Sequence, residues 1–205
     1  MDRAPLMATP AASLRRRALR ALAVLLLAAG LSGGAYAGYC GVLIATGNFH
    51  EVAPGALYRA AQMDGPTLDA TLAAHGIRAV LNLRGANPDS DWYRDEIAVA
   101  ARRGVAHYDI PLSARRPLSA PEMARLLNIL RTAPKPLLIH CRSGADRSGL
   151  VAALYRYAVA HDPAAEAARE LSLRYGHFPY LTSPTGAMDA SFAAFVAAQG
   201  DGAAR

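Results

Sequence analysis

Cysteine is almost missing from this 205-residue sequence, which holds only Cys40, in an apolar run, and Cys141, in a region of mixed composition. Two thiols so placed argue against a structural disulfide framework and leave Cys141 as a free thiol to be accounted for. His, Asp and Glu never gather at metal-ligand spacing, so neither a metal nor another cofactor is expected. No internal repeat is present. Basic clusters interleaved with aromatics are lacking too, although a net charge of +6 and a pI near 9.7 would suit a nucleic-acid partner. Arg3, Arg15, Arg16, Arg17 and Arg20 face only Asp2 in the first 20 residues, which puts +4 of the +6 there. The charge therefore speaks for membrane topology, and no nucleic acid is expected.

Charge vanishes between Ala21 and Gly47. Behind the arginines, this stretch is long enough to span about 30 Å of hydrocarbon. A cleaved signal peptide would instead use Ala35-Tyr36-Ala37 and release a protein beginning at Gly38. The anchor is the better reading, because apolar character continues through Val42-Leu43-Ile44-Ala45, and Tyr39 is too large to precede a lipidated Cys40. The positive-inside rule then sets the arginines in the cytoplasm and the rest of the chain on the periplasmic side, or exported if cleaved after Ala37. The expected organisation is a basic N-terminus over 1–20, an anchor or signal over 21–46, a globular domain over 47–198 and a flexible tail over 199–205.

In the domain, Asn48 to Val52 leads in, with His50 structural, followed by a turn at Pro54-Gly55 and a strand around Leu57-Tyr58-Arg59. Strands are expected at Ala79–Leu83, Val105–Ile110 and Pro136–His140. Helices are expected over Thr67–His75 and Trp92–Arg103, closed by Gly76 and Gly104, and from a Ser119-x-x-Glu122 capping box to Arg131. Three more are expected over Ser148–Ala160, Pro163–Arg174 behind an Asp162 cap, and Met188–Ala198. The alternation predicts an α/β fold, a mostly parallel central sheet flanked by helices.

The strand ending at His140 runs directly into Cys141-Arg142-Ser143-Gly144-Ala145-Asp146-Arg147-Ser148-Gly149. A loop joining the carboxyl end of a strand to the amino end of a helix is where open α/β sheets place ligands. A thiol that cleaves a phosphate ester must be a thiolate near neutral pH. Helix-terminal amides, a nest of inward N–H groups permitted by Gly144 and Gly149, and the Arg147 cation all favour that anion. The amides of Arg142 to Arg147 and the planar Arg147 fork suit phosphoryl oxygens. Cys141 is the expected nucleophile, Ser148 the hydroxyl that assists the sulfur, and His140 the loop's support.

These residues resemble the dual-specificity branch of the protein tyrosine phosphatases, and most of all its bacterial membrane-anchored or exported members. The resemblance spans about Asn48 to Phe195, including Gly55–Gln62 and Val80–Arg84. It implies a small α/β phosphatase hydrolysing phosphomonoesters through a thiophosphate intermediate, with phosphotyrosine and often phosphoserine or phosphothreonine as substrates. Cys141, Arg147 and Ser148 match the family's nucleophile, phosphate-binding arginine and hydroxyl.

The sequence departs from the family at the general acid. Relatives carry an aspartate in the loop before the Ser119 helix, but Pro111-Leu-Ser-Ala-Arg-Arg-Pro117 has no carboxylate. Asp146 is the first candidate, since some lipid and tyrosine phosphatases with a similar Asp-Arg pair use that aspartate; it could instead brace an arginine. Asp109 comes next, then Asp89, Asp91 or no dedicated acid, with Glu122 assigned to the capping box. Arg59 and Arg84 could reach the pocket or brace it. Arg115-Arg116 could meet a second phosphate or a lipid headgroup, though a solvated turn is the plainer reading. His177-Phe178-Pro179-Tyr180 reads as a loop over the core. A phosphorylated lipid or small molecule is the alternative substrate, and a catalytically weak phosphate-binding module the alternative function. Oligomeric state is left open.

Overall fold

A computed structural model describes the backbone of residues 10–203 and the side chains of 14–200. The chain divides after Gly41 into two units. The first is dominated by a helix, α1 (Pro10–Ala45), which continues unbroken through the arginines and the apolar run. Leu14–Ala45 is long and apolar enough to cross a membrane, by length and composition. The expected basic segment before residue 10 lies outside the described residues.

After the last turn of α1, the second unit holds β1 (His50–Ala53), β2 (Leu57–Ala60), α2 (Gly65–Ala74), β3 (Ala79–Asn82), α3 (Asp91–Arg103) and β4 (Ala106–Asp109). It continues with α4 (Ala120–Thr132), β5 (Leu137–His140), α5 (Asp146–Ala158), the single turn α6 (Ala164–Ala167) and α7 (Gly186–Ala203). The sheet order is β1-β2-β5-β3-β4, parallel except for β1, which pairs antiparallel to β2. The sequence reading did not find β1 as a strand.

Period-two alternation divides the strands between two cores. Leu57, Leu81, Leu137 and Ile139 pack with Leu126 and Leu130 of α4 and Leu150 and Leu154 of α5. Tyr58, Val80 and Leu138 pack on the other side with Leu68 and Leu72 of α2 and Val99 of α3. Each such side chain stabilises the domain by about 1.5–3 kcal/mol. From Leu150 to Leu154 every residue of α5 is fully buried, so the helix that carries the reactive loop is held on all sides.

Local signals account for most helix limits. Asp64 caps α2, Ser119 and Glu122 close a capping box on α4, and Gly104 ends α3 in the left-handed conformation. The helix expected over Pro163–Arg174 is corrected: it breaks into α6 and two 3-10 turns, Ala168–Glu170 and Leu173–Tyr175. Asp162 does not cap it. Its carboxylate accepts from Arg156 Nε at 2.6 Å, and Pro163 stands at the cap. The last helix passes its expected end at Ala198 and runs to Ala203, with residues 204–205 outside the described residues.

Candidate active site

The carboxyl ends of β2, β5 and β3 lie level, with Ala60, His140 and Asn82 in register. The segments that follow them, 61–63, 141–145 and 83–87, therefore meet at one edge of the sheet. Four successive carbonyls of the central segment are tied from outside. Gln62 N–H donates to Arg142 O (3.3 Å) and Asn48 Nδ2 to Ser143 O (2.9 Å). Arg59 Nη2 donates to Gly144 O (2.7 Å) and Ala145 O (3.0 Å). Among the described residues the amides of Arg142 to Ser148 donate to no protein acceptor; the first to do so is Gly149 N–H, to Ala145 O at 2.9 Å. Carbonyls fixed outward leave the N–H groups free for an anion at the amino end of α5.

Cys141 lies at the root of this nest and is 1% exposed. The Ser148 hydroxyl is fully buried and has no hydrogen-bond partner among the described residues. A buried orphan hydroxyl is costly unless it serves something not yet bound. Arg147 is partly exposed, its Nη1 donating to Leu83 O (3.2 Å) and Leu112 O (3.3 Å). Those two carbonyls draw its guanidinium toward the segments after β3 and β4. Arg84 stacks on Trp92 at 3.9 Å and donates to Gln62 Oε1 at 3.3 Å. Burial, then the nearby charges of Arg147 and Arg142, lower the Arg84 pKa, while Cys141 opposes them. Arg142 is exposed at the same edge.

The backing was only partly foreseen. Arg59 is completely buried, although bracing was one of its two expected roles. Besides the two loop carbonyls it donates to the Glu170 carboxylate (2.8 Å) and carbonyl (2.9 Å), and it stacks on Tyr175 at 4.0 Å. Asn48, expected only to lead into the domain, is 2% exposed and also donates to Tyr175 O at 3.0 Å. Its signal was the Gly47-Asn48 pair, both at positive φ. Gly144 has φ +72°, and a Cβ there would meet the Ala60 carbonyl carbon at 2.7 Å, so the nest fits against β2 only without a side chain. Gly149 has a different reason from the one expected. It is helical, and a Cβ would meet Glu170 O at 2.9 Å.

His140 has a buried Nδ1 with no hydrogen-bond partner among the described residues. Its Nε2 is 3.1 Å from Glu96 Oε1, and the same oxygen is 2.7 Å from His107 Nε2. Burial raises the Glu96 carboxyl, but the His107 and His140 contacts outweigh it and hold the group at about 2. The expected support of the loop by this ring is thus indirect, through β5 and α3.

Asp146, the first residue of α5, is 2.7 Å from His177 Nδ1, and His177 Nε2 is 2.9 Å from Asp189 Oδ2. The loop expected to cover the core thus delivers a fully buried histidine to the candidate acid. Burial lowers the pKa of that ring, yet the two carboxylates prevail and raise it overall. Asp109 sits on β4 with both oxygens engaged, by Asn82 Nδ2 (2.8 Å) and Tyr93 OH (2.6 Å). Asp89 and Asp91 are exposed, the latter paired with Arg94. Glu122 is held by Arg116 at 2.6 Å as well as by its cap, so Arg116 spends its charge on an exposed ion pair.

The fold matches several solved structures. TpbA from P. aeruginosa is 23% identical, covering 73% of this chain and 85% of its own, with a TM-score of 0.54. The core catalytic domain of the PP-IP phosphatase SIW14 from S. cerevisiae is 17% identical over 75% and 93%, with a TM-score of 0.53. PTPMT1 is 14% identical over 75% and 99%, with a TM-score of 0.52. At these identities the likeness shows the fold. No curated protein is detectably similar in sequence. The model of the PTP-SAK family, described as Swiss Army Knife protein, DSP-PTPase phosphatase domain, matches residues 46–190, more than two thirds of the chain. The chain belongs to that family and is a cysteine-dependent phosphatase.

Proposed function

We propose that the chain is a protein tyrosine or dual-specificity phosphatase held at a membrane, its domain on the periplasmic side. The observation that carries the phosphate chemistry is the set of free amides from Arg142 to Ser148 around Cys141, backed by four outward carbonyls. Cys141 Sγ attacks phosphorus and the bond to the ester oxygen breaks, giving a thiophosphate. The amides and Arg147 hold the equatorial oxygens as charge develops. Asp146 gives the leaving oxygen its proton, then takes one from the water that attacks phosphorus as sulfur departs. Ser148, whose hydroxyl is otherwise unsatisfied, steadies the departing thiolate. Phosphotyrosine is the leading substrate, and TpbA in complex with pTyr, a fold neighbour at TM-score 0.50, supports it.

A second reading, a phosphorylated lipid, draws support from the apolar α1 and from Tyr180 and Leu181, which are exposed beyond His177. Phosphotyrosine peptides, phosphoserine peptides and phospholipid vesicles, offered to the full chain, separate the two. The expected result is highest kcat/KM on phosphotyrosine peptides and none in Cys141→Ser; a preference for vesicles selects the second reading, and turnover by Cys141→Ser sinks the thiol mechanism. Membrane fractions are expected to keep the protein through a high-salt wash, whereas a soluble form beginning at Gly38 would establish cleavage.

A further inference from the structure

A lone aspartate is a poor proton donor at neutral pH, because an unperturbed carboxyl near 3.9 has already lost its proton. The surroundings of Asp146 offer a remedy. His177 is fully buried, with Nδ1 on Asp146 and Nε2 on Asp189. An imidazole that meets a carboxylate at each nitrogen donates at both only when protonated; otherwise one carboxyl must carry the proton. In either case this group of three holds one proton more than a neutral ring between two carboxylates. Asp146 and Asp189 are the charged groups that face the ring, one from α5 and one from α7. Asp146 has about a fifth of its side chain exposed, and Asp189 about two fifths. The three residues thus form a line from solvent, through a dry histidine, to the first residue of the helix that carries the nest.

We propose that His177 is the proton store for the leaving-group step and Asp189 the residue that positions it, with Asp146 as the outlet. This rests on the reading of Asp146 as the acid. As the bond from phosphorus to the ester oxygen breaks, Asp146 passes a proton to that oxygen and His177 passes its Nδ1 proton to Asp146. The ring is left neutral and Asp146 a carboxylate. In the second step the attacking water gives its proton to Asp146, which passes it to Nδ1 of the ring as the thiolate leaves. No proton is gained or lost by the three residues over the cycle.

The elevated pKa of His177 fits this use, since the ring keeps its proton into the range where a carboxyl would not. Such a group titrates as a unit, so the rate with a tyrosyl ester falls on the basic side with an apparent pKa that belongs to all three residues. With an activated aryl ester, whose leaving group departs as a stable anion, that limb has little effect.

The experiment measures kcat against pH for a tyrosyl and an activated aryl phosphate, using the full chain, His177→Gln, Asp189→Asn and Asp146→Asn. In His177→Gln the side-chain amide keeps a donor for Asp146 but holds no titrating proton. That variant is expected to lower the tyrosyl rate about tenfold or more, remove its basic limb and spare the aryl ester. Asp189→Asn, at a partly exposed position, is expected to fold and to move the basic limb to lower pH by removing one of the two anions that hold the ring's proton. Equal losses on both esters in His177→Gln, or a basic limb unmoved in Asp189→Asn, overturn the proposal. If Asp146→Asn slows the tyrosyl ester selectively while His177→Gln does not, the store is wrong and the acid stands. If Asp146→Asn slows both esters equally, the acid itself is wrong and the store falls with it.

Discussion

Arg59 and Arg147 flank the same short loop from opposite sides and are treated in opposite ways. Behind the loop, Arg59 is fully buried and its two Nη atoms are spent on Glu170 and on the carbonyls of Gly144 and Ala145. In front, Arg147 is partly exposed and touches two carbonyls at 3.2 and 3.3 Å, with Arg84 and Arg142 close by. The back is neutralised, with both Arg59 Nη atoms spent on protein oxygens and its buried Nε without a partner among the described residues; the front keeps positive charge and free N–H groups in reserve. An arginine spent on carbonyls and a carboxylate holds a shape, and one touching two distant carbonyls waits for an anion.

Changing each arginine tests that division. Arg59→Ala leaves Glu170 buried beside Arg156 alone, at 3.4 Å, and is expected to cost about 3–5 kcal/mol of stability in denaturant titration. If stability holds while activity disappears, Arg59 belongs to the front after all. Arg147→Lys keeps charge but loses the fork, with an expected loss of about 10²–10³ in kcat/KM, roughly 2.7–4 kcal/mol, and little change in Tm. A fall of less than about tenfold would show that this residue does not clamp the transition state.

Glu96 extends the back toward α3 and sharpens the contrast through pH. Its folded pKa, about 2, lies below the ordinary carboxyl value of 4.5. The stabilisation is therefore fully present above pH 4.5 and is lost as pH falls toward 2. Acid unfolding of Glu96→Gln should be less steep across that window, and an unchanged profile would mean that His107 and His140 do not hold the carboxylate. Asn48→Ala is the mildest change, about 1–2 kcal/mol, from freeing two buried carbonyls. Heat unfolding should show the loss, and the KM for an aryl phosphate should rise as Ser143 loosens.

The front of the site was far more legible than its back. Cys141, Arg147 and the strand-loop-helix order follow from adjacent residues, because a loop at a helix terminus encodes its own anion nest. Gly144 was recognised as the residue that permits the nest, but its contact with Ala60 depends on how β2 pairs with β5. Gln62, Glu170 and His177 come from distant segments, and nothing local marks their contacts at the site. Short apolar strands alternating with helices point to the parallel sheet, whereas the four residues of β1 lack an apolar run and form through pairing with β2. The helix expected from Pro163 failed because Glu170 must turn inward to meet Arg59, and regular helix does not survive that demand.

The outward carbonyls also bear on when the site comes into being as the chain folds. The bond from Asn48 to Ser143 closes a separation of 95 residues, and those from Arg59 to Gly144 and Ala145 close 85 and 86. Contacts so remote form only after the intervening strands have paired, because the entropy lost in closing long loops precedes any gain from the contact. The anion nest is therefore among the last features to mature, and a fragment carrying the whole motif from His140 to Gly149 without the segments at 48, 59 and 170 would have the thiol and the arginine but no cradle between them.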